Sequence, residues 1–390
     1  MPETGEARMT DDLSTMPVID IDAHWTEPRD LWTSRAPAKL RDKTLRVELM
    51  DDGVERWVIG DGMVMGSVGY CSIRPDGSKG SGQVAFDSFD EIHPGAIETE
   101  PRLAYMDEHG LTIQIVYPNI LGFAGHLVMR IDDAEQREFS VTAYNDAAAD
   151  VQAEGKGRVF PQAMLPFWDL DASIRELERC HDQLGLKGLV LTDATEDWGL
   201  PPLSDPHWDR LWHAAEDRGM PINFHIGGGT ITPRTWGSYP PARMFAALST
   251  MMQMSNMASI SNLIYSGLLD RFPTLKFVSV ESGVGWLPFL LESLDYQFNE
   301  NGVTDLKMKP SEYFQRQIYG SYWFESDLAD AVKKLGADNF MFETDFPHAT
   351  CIYPGVREHV QRTHKGLDAE VQRKLLYETA ARVYNIDPHI

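Results

Sequence analysis

The chain has 390 residues, 59 of them Asp or Glu and 35 Lys or Arg, for a formal charge of −24. That balance excludes a general nucleic-acid binder, because phosphate binding needs clustered Lys and Arg to displace counterions. With 43% hydrophobic and 24% charged residues, the chain is too apolar to be disordered and can bury a large core.

Residues 1–15 carry Glu, Asp, Thr and Gly without an apolar core, so they read as a flexible leader rather than a signal peptide or membrane anchor. Residues 16–390 read as a single barrel domain. No stretch reaches the roughly 18 apolar residues needed to span a bilayer, so a membrane partner is not expected. Cys71, Cys180 and Cys351 are far apart and form no C-x-x-C pair, which fits a reducing cytoplasm.

Short apolar runs of strand length recur at Pro17–Asp22, Thr112–Tyr117, Arg158–Leu165, Lys187–Leu191, Pro221–His225, Leu275–Glu281, Gln317–Trp323 and Asn339–Asp345. Most are followed by an amphipathic stretch, the rhythm of repeated βα units. Their apolar content is continuous rather than alternating, as expected of parallel strands covered on both faces. Eight such units predict an α/β protein, a closed (β/α)8 TIM barrel.

Between the first two strands, residues 45–82 break the rhythm. Alternating runs at Arg46–Leu49 and Arg56–Ile59, with turns at Asp51-Asp52-Gly53 and Gly60-Asp61-Gly62, predict a small β-hairpin insertion. Among the helices, Asp171–Leu184 places Ile174, Leu177, Cys180, His181 and Leu184 on one face, with Asp171 as its expected cap. Pro206–Arg218 stops at Gly219, and Asp368–Tyr384 closes the chain. The Gly/Pro-rich loop from Gly227 to about Phe245 reads as a lid or binding loop. The run Met251, Met252, Met254 and Met257 reads as helix core packing rather than a soft pocket or subunit contact.

In such a barrel the chemistry sits at the carboxyl ends of the strands. Four of the eight ends carry metal-type ligands: Asp20-Ile-Asp22-Ala-His24, Phe224-His225, Val280-Glu281 and Thr344-Asp345. Residues two apart in a strand share a face, so Asp22 and His24 can project together into the barrel mouth. A single His at a strand end is more often a hydrogen-bonded packing residue. Joint placement points the other way, because an inward Asp or Glu without a cation would be an unfavourable buried charge. Imidazole plus carboxylate suits Zn or another first-row divalent ion, with a position open to water or substrate. There is no G-x-S-x-G elbow, no P-loop and no G-x-G-x-x-G after a strand.

Further polar residues lie near the expected mouth. His348, three positions after Asp345, could act as acid, base or substrate anchor, or simply pack in its loop. Asn119 could hydrogen-bond substrate, although Asn after Pro is also ordinary turn chemistry. Arg234 and Arg243 could clamp a substrate carboxylate, with solvated surface charge as the plainer reading.

The chain resembles the amidohydrolase superfamily, specifically the amidohydrolase-related group that includes aminocarboxymuconate semialdehyde decarboxylase and related aromatic acid decarboxylases. The resemblance rests on Ile19-Asp-Ile-Asp-Ala-His24 with Glu27-Pro28, Met106-Asp-Glu-His-Gly110, Phe224-His-Ile-Gly227, the segment Leu268 to Gly283, Thr344-Asp-Phe-Pro-His348 and Ala380-Ala-Arg-Val-Tyr384. It implies that Asp22, His24, His225 and Asp345 hold one divalent metal, with Zn first and Mn second. It also implies that Asp345 takes the proton of metal-bound water in hydrolysis or helps protonate a ring carbon in decarboxylation.

Two departures stand out. Asp22 replaces the first His of the common H-x-H, and Glu281 stands where the decarboxylases offer a His. Glu281 could be a metal ligand, an orienter of His225 or a substrate contact, and an anionic side chain is a poor partner for a substrate carboxylate. The expected activity is therefore metal-dependent hydrolysis of a small cyclic or aromatic substrate, with Asp345, His348 and Glu281 catalytic and Asn119 and Arg234 binding substrate. Non-oxidative decarboxylation of an aromatic or unsaturated acid is the alternative, and a non-catalytic binding barrel the third reading. The resemblance further implies a homodimer.

Overall fold

The computed structural model describes residues 13–70, 72–80, 85–229, 237–326 and 328–389. Each predicted apolar run overlaps a strand, the first of which runs two residues past its predicted end. The first is β1 (Ile19–His24); the insertion follows with β2 (Arg46–Leu49), β3 (Glu55–Ile59) and β4 (Met63–Ser67). Then come β5 (Ile113–Tyr117), β6 (Val159–Pro161), β7 (Leu189–Val190), β8 (Ile222–His225), β9 (Phe277–Val280), β10 (Ile318–Tyr322) and β11 (Phe340–Phe342). Every residue of β1 and of β5 to β11 is buried, which is why their sequences run apolar without alternation.

The barrel strands pair in parallel as β1-β5-β6 and β7-β8-β9-β10-β11. Two single parallel bridges, Ala163 to Leu189 and Ala23 to Phe346, join the two arcs into a ring. The eight parallel strands and the helices between them make the predicted (β/α)8 barrel. Strands β2, β3 and β4 form a separate antiparallel sheet with turns at the predicted positions.

The helices follow the sequence with three corrections. The helix Leu170–Asp182 is capped by Asp169, whose carboxylate accepts the amide of Ala172; Asp171 instead lies in the first turn and pairs with Arg210. The closing helix is interrupted by a π-helical turn at Lys374–Glu378. The helix Pro241–Gln253 buries none of its residues, so Met251 and Met252 are only half-covered and do not pack the core. Met257 is likewise half-covered, and Met254 is 61% exposed. As predicted, Gly219 ends the helix Asp209–Arg218 in a left-handed conformation with φ 64°. Among the described residues no helix is long and apolar enough to cross a membrane.

Backbone hydrogen bonds cross both seams of the ring, and buried side chains reinforce them. Asp20 is fully buried and accepts from the Thr344 amide (2.8 Å), the Thr344 hydroxyl (2.6 Å), the Gln114 side-chain amide (2.9 Å) and the Asp22 amide (3.3 Å). It thereby ties β1 to β5 and to the segment after β11. One layer further in, Asn223 accepts the hydroxyls of Tyr117 and Tyr384 and donates to Gln162 and the carbonyl of Leu189. Removing Asp20 strands buried donors, each at about 1–3 kcal/mol. Asp20→Ala is therefore expected to lower the unfolding free energy by about 3 kcal/mol, read from the midpoint of guanidinium denaturation. A midpoint unchanged from wild type would show that closure does not depend on this carboxylate.

Candidate metal centre

Six of the predicted site residues meet at the barrel mouth, all of them buried: Asp22, His24, His225, Glu281, Asp345 and His348. Asp22 and His24 extend from the same face of β1, and His225 is the last residue of β8. Glu281 follows β9 directly, and Asp345 lies three residues beyond β11. These last two adopt left-handed backbone, with φ 58° and 63°, a region that non-glycine residues seldom enter. The Glu281 amide is held by the Ser321 hydroxyl (3.0 Å) and the Glu343 carboxylate (3.2 Å), and the Asp345 amide donates to the carbonyl of Asp22 (2.9 Å).

The two imidazoles are oriented by backbone. His225 Nδ1 lies 2.9 Å from the carbonyl of Ile226 and His24 Nδ1 lies 3.4 Å from that of Pro118. A carbonyl can only accept, so both rings carry the proton on Nδ1 and turn the lone pair of Nε2 inward. Those two Nε2 atoms lie 3.1 Å apart, and each is 3.4 Å from Asp22 Oδ1. His225 Nε2 is also 3.5 Å from Glu281 Oε2, and His24 Nε2 is 3.8 Å from Asp345 Oδ1. Two facing lone pairs without a proton between them repel. Donors about 2.0–2.2 Å from one shared ion stand roughly 3–3.6 Å apart, which matches these separations.

The oxygens tell the same story. Both carboxylate oxygens of Asp22, Oε2 of Glu281 and Oδ1 of Asp345 are buried without a hydrogen-bond donor. Asp345 Oδ2 accepts from Thr350 at 2.6 Å; its Oδ1 lies 2.5 Å from His348 Nδ1, but the pair is not aligned as a hydrogen bond. Burial, then the neighbouring charges of Asp345 and Asp20, pushes the Asp22 carboxyl well above its usual range. Burial and then Asp345 and Asp22 do the same to Glu281. Burial holds His225 down at about 4 and His24 well below its ordinary value, so both favour the neutral form that ligates metals. The donor set thus fits a divalent cation.

Other expected residues fare differently. Asn119 is buried beside the cluster, but its amide donates to the carbonyl of Tyr70 and to Thr26, while its Oδ1 meets no donor. Arg243 is exposed, 5.8 Å from the ring of Tyr239, and Arg234 lies outside the described residues.

Several neighbours escaped the sequence reading. Arg102 is buried and donates to the carbonyl of His24 (2.5 Å) and to Gln114 (3.0 Å), fixing the end of β1. Glu343 is buried with one oxygen unmet, and its place just before Thr344-Asp345 was the available signal. Phe123 lies against three of the histidines. Glu27, visible beside Pro28, accepts the amides of Asn119 (2.9 Å) and Ile120 (3.1 Å) and so anchors the loop after β5. A cleft of about 560 Å³ between the outer face of β8 and β9 and the helix Ser255–Tyr265 shares no residue with the cluster.

The amidohydrolase family model matches residues 19–386. The chain is 26% identical over 260 residues to γ-resorcylate decarboxylase of Polaromonas sp. strain JS666, spanning 63% of this chain and 76% of that one. The structure of 5-carboxyvanillate decarboxylase from Sphingomonas paucimobilis superposes with a TM-score of 0.61 at 26% identity, over 76% of this chain and 85% of that one. An amidohydrolase from Mycobacterium avium subsp. paratuberculosis K-10 superposes with a TM-score of 0.71 over 95% of this chain and 99% of its own. At 21% identity, that likeness speaks for the fold alone.

Burial raises the Glu27 carboxyl from 4.5 to about 7. The unfolded chain releases this proton near 4.5 and the folded chain near 7, so the folded state holds more protons in between and stability falls as pH rises across that window. Stability is expected to drop by about 2 kcal/mol from this group between pH 5 and pH 8, and Glu27→Gln should flatten that part of the profile. Parallel denaturation curves for the two proteins at both pH values check it, and identical slopes would refute it.

Proposed function

The chain belongs to the amidohydrolase family, and from that premise we propose that it is a metal-dependent carboxy-lyase releasing carbon dioxide from a small aromatic or unsaturated carboxylic acid. The observation that carries the metal half is the convergence of two inward-facing imidazole lone pairs with carboxylate oxygens that no donor meets. The decarboxylation half is supported by relatives at 26% identity that are decarboxylases of aromatic acids.

Asp22, His24, His225 and Asp345 would hold the ion, with Zn or Mn as candidates. When bound, it supplies positive charge that draws an acid substrate and stabilises charge developing on its oxygens. Around it, this chain positions its groups. Asp345, fixed by Thr350 and by its own strained backbone, moves a proton at the reacting carbon. His348 touches Asp345 and stacks on His24 at 3.9 Å, placing its free Nε2 beside the same point. Glu281 faces the cluster from β9 and is the remaining group able to exchange a proton there. Asn119 offers Oδ1 as a substrate acceptor, and Arg234 is the proposed cation for a substrate carboxylate.

One observation favours hydrolysis instead. Glu281 adds a third carboxylate where a His would be neutral or cationic, which disfavours an anionic substrate. A homodimer is compatible with the exposed aromatics Phe289, Tyr296 and Phe324. The free, buried Cys180 and Cys351 support a reducing cytoplasm, and residues 16–390 would act as one domain.

The test uses the full chain loaded with Zn or Mn and supplied with γ-resorcylate or 5-carboxyvanillate. Carbon dioxide release is expected, abolished by chelation and restored by metal, and Asp345→Asn should lower kcat by about 10³-fold. Water-consuming ring or amide cleavage without carbon dioxide would move the assignment to hydrolysis. Metal content well below one per chain, unchanged in His225→Ala, would sink both.

A further inference from the structure

The loop after β5 sets one aromatic side chain against three of the candidate site histidines. Between centroids, the ring of Phe123 lies 4.6 Å from His24, 5.0 Å from His225 and 4.9 Å from His348. The three imidazoles are buried whereas Phe123 is half-buried, so the phenyl ring packs on them from a position that solvent reaches.

The backbone that carries it has little room to move. The amide of Gly122 donates to Asn119, that of Gly125 to Gly122 and that of Leu127 to Leu121, at 3.0, 2.7 and 2.9 Å. Glu27 grips the start of the turn through the amides of Asn119 and Ile120. Gly122 has φ 85°, and a Cβ there would fall 2.8 Å from the ring of His126. On the opposite side, a Cβ at Gly228 would come within 2.9 Å of the Ala124 side chain, so the turn packs directly on the loop that follows His225. With the backbone held from both sides, the freedom that remains is rotation of the Phe123 side chain between its staggered positions.

The geometry points to Phe123 as the residue that seals the metal centre and selects what reaches it. A ligand gains the cluster by turning the phenyl ring aside, and a flat aromatic ring can then stack on the displaced ring where a puckered one cannot. This deepens the carboxy-lyase reading and rests on its metal site, since an aromatic gate favours the aromatic acids proposed there.

The experiment follows metal exchange rather than turnover. The full chain is loaded with manganese, and the rate at which dipicolinate strips the ion is measured alongside the equilibrium affinity. In Phe123→Ala, stripping is expected to accelerate about tenfold while affinity stays within about twofold, because a gate changes uptake and loss together. Phe123→Trp should strip at the wild-type rate or more slowly. Phe123→Leu, which keeps bulk without a ring, should fall between and serves if the Ala variant folds poorly. Benzoate should slow stripping of the wild type more than cyclohexanecarboxylate does, and the difference should vanish in Phe123→Ala.

An unchanged stripping rate overturns the proposal. So does a fall in affinity as large as the gain in rate, which would make Phe123 a mere support of the ligands. Equal or absent protection by the two acids overturns the selectivity. A chain that takes up neither manganese nor zinc removes the metal-enzyme reading and the gate with it, whereas metal uptake without carbon dioxide release leaves the gate standing and refutes only the carboxy-lyase.

Discussion

Asp22, Glu281 and Asp345 meet inside this barrel with oxygens that no donor in the described chain satisfies. Keeping all three charged would cost several kcal/mol each, which is why burial and mutual repulsion push Asp22 and Glu281 towards the protonated form. A divalent cation at their meeting point offsets that cost, and the orientation of the two histidines fits the same ion, since backbone carbonyls commit their Nδ1 protons elsewhere. The left-handed conformations of Glu281 and Asp345 belong to the same constraint. Each costs of order 1–3 kcal/mol and is sustained because the surrounding structure fixes the amide as well as the side chain.

Behind the ligands stands a set of buried polar residues whose work is mechanical. Asp20 binds the start of the barrel to its end, so the positions of Asp22 and Asp345 are set relative to one another by a side chain that touches neither the metal point nor solvent. Arg102 holds the carbonyl of His24, and Glu27 holds the loop that presents Pro118 to the ring of the same residue. The precision of the centre thus comes from hydrogen bonds one layer away, where a lost contact displaces a ligand without removing it.

The eight strands were legible because a parallel strand covered on both faces leaves a continuous apolar run. The convergence of Asp22, His24, His225, Glu281 and Asp345 was legible because they end those runs or lie just beyond them. What failed to show was whatever depends on position across the chain. Asp169 and Asp171 are both plausible caps, and the pairing of Asp171 with Arg210, distant in sequence, is what separates them. The methionines from Met251 to Met257 carry helical spacing, but spacing does not say whether anything packs against the face. Phe123 sits in a loop whose sequence gives no sign that three histidines lie beside it. The left-handed backbone of Glu281 and Asp345 was hidden for a simpler reason, since residues of these types rarely adopt it.

The division between strands and loops explains how a chain this distant from its relatives can share their fold while its site residues vary. Strand ends supply the clustered Asp, His and Glu side chains, and closure of the ring fixes where those ends lie, so a substitution there alters charge without altering place. Glu281 stands at such a position: it follows β9 directly, and its oxygen faces the imidazole of His225. The loops carry no such restriction and decide which molecule approaches. In this chain the loop after β5 is the exception, because Glu27, the turn hydrogen bonds and the side-chain-free surface of Gly228 fix its backbone as firmly as a strand. With the backbone so held, discrimination between ligands falls to the side chains this loop delivers, the proposed acceptor Asn119 and the ring of Phe123.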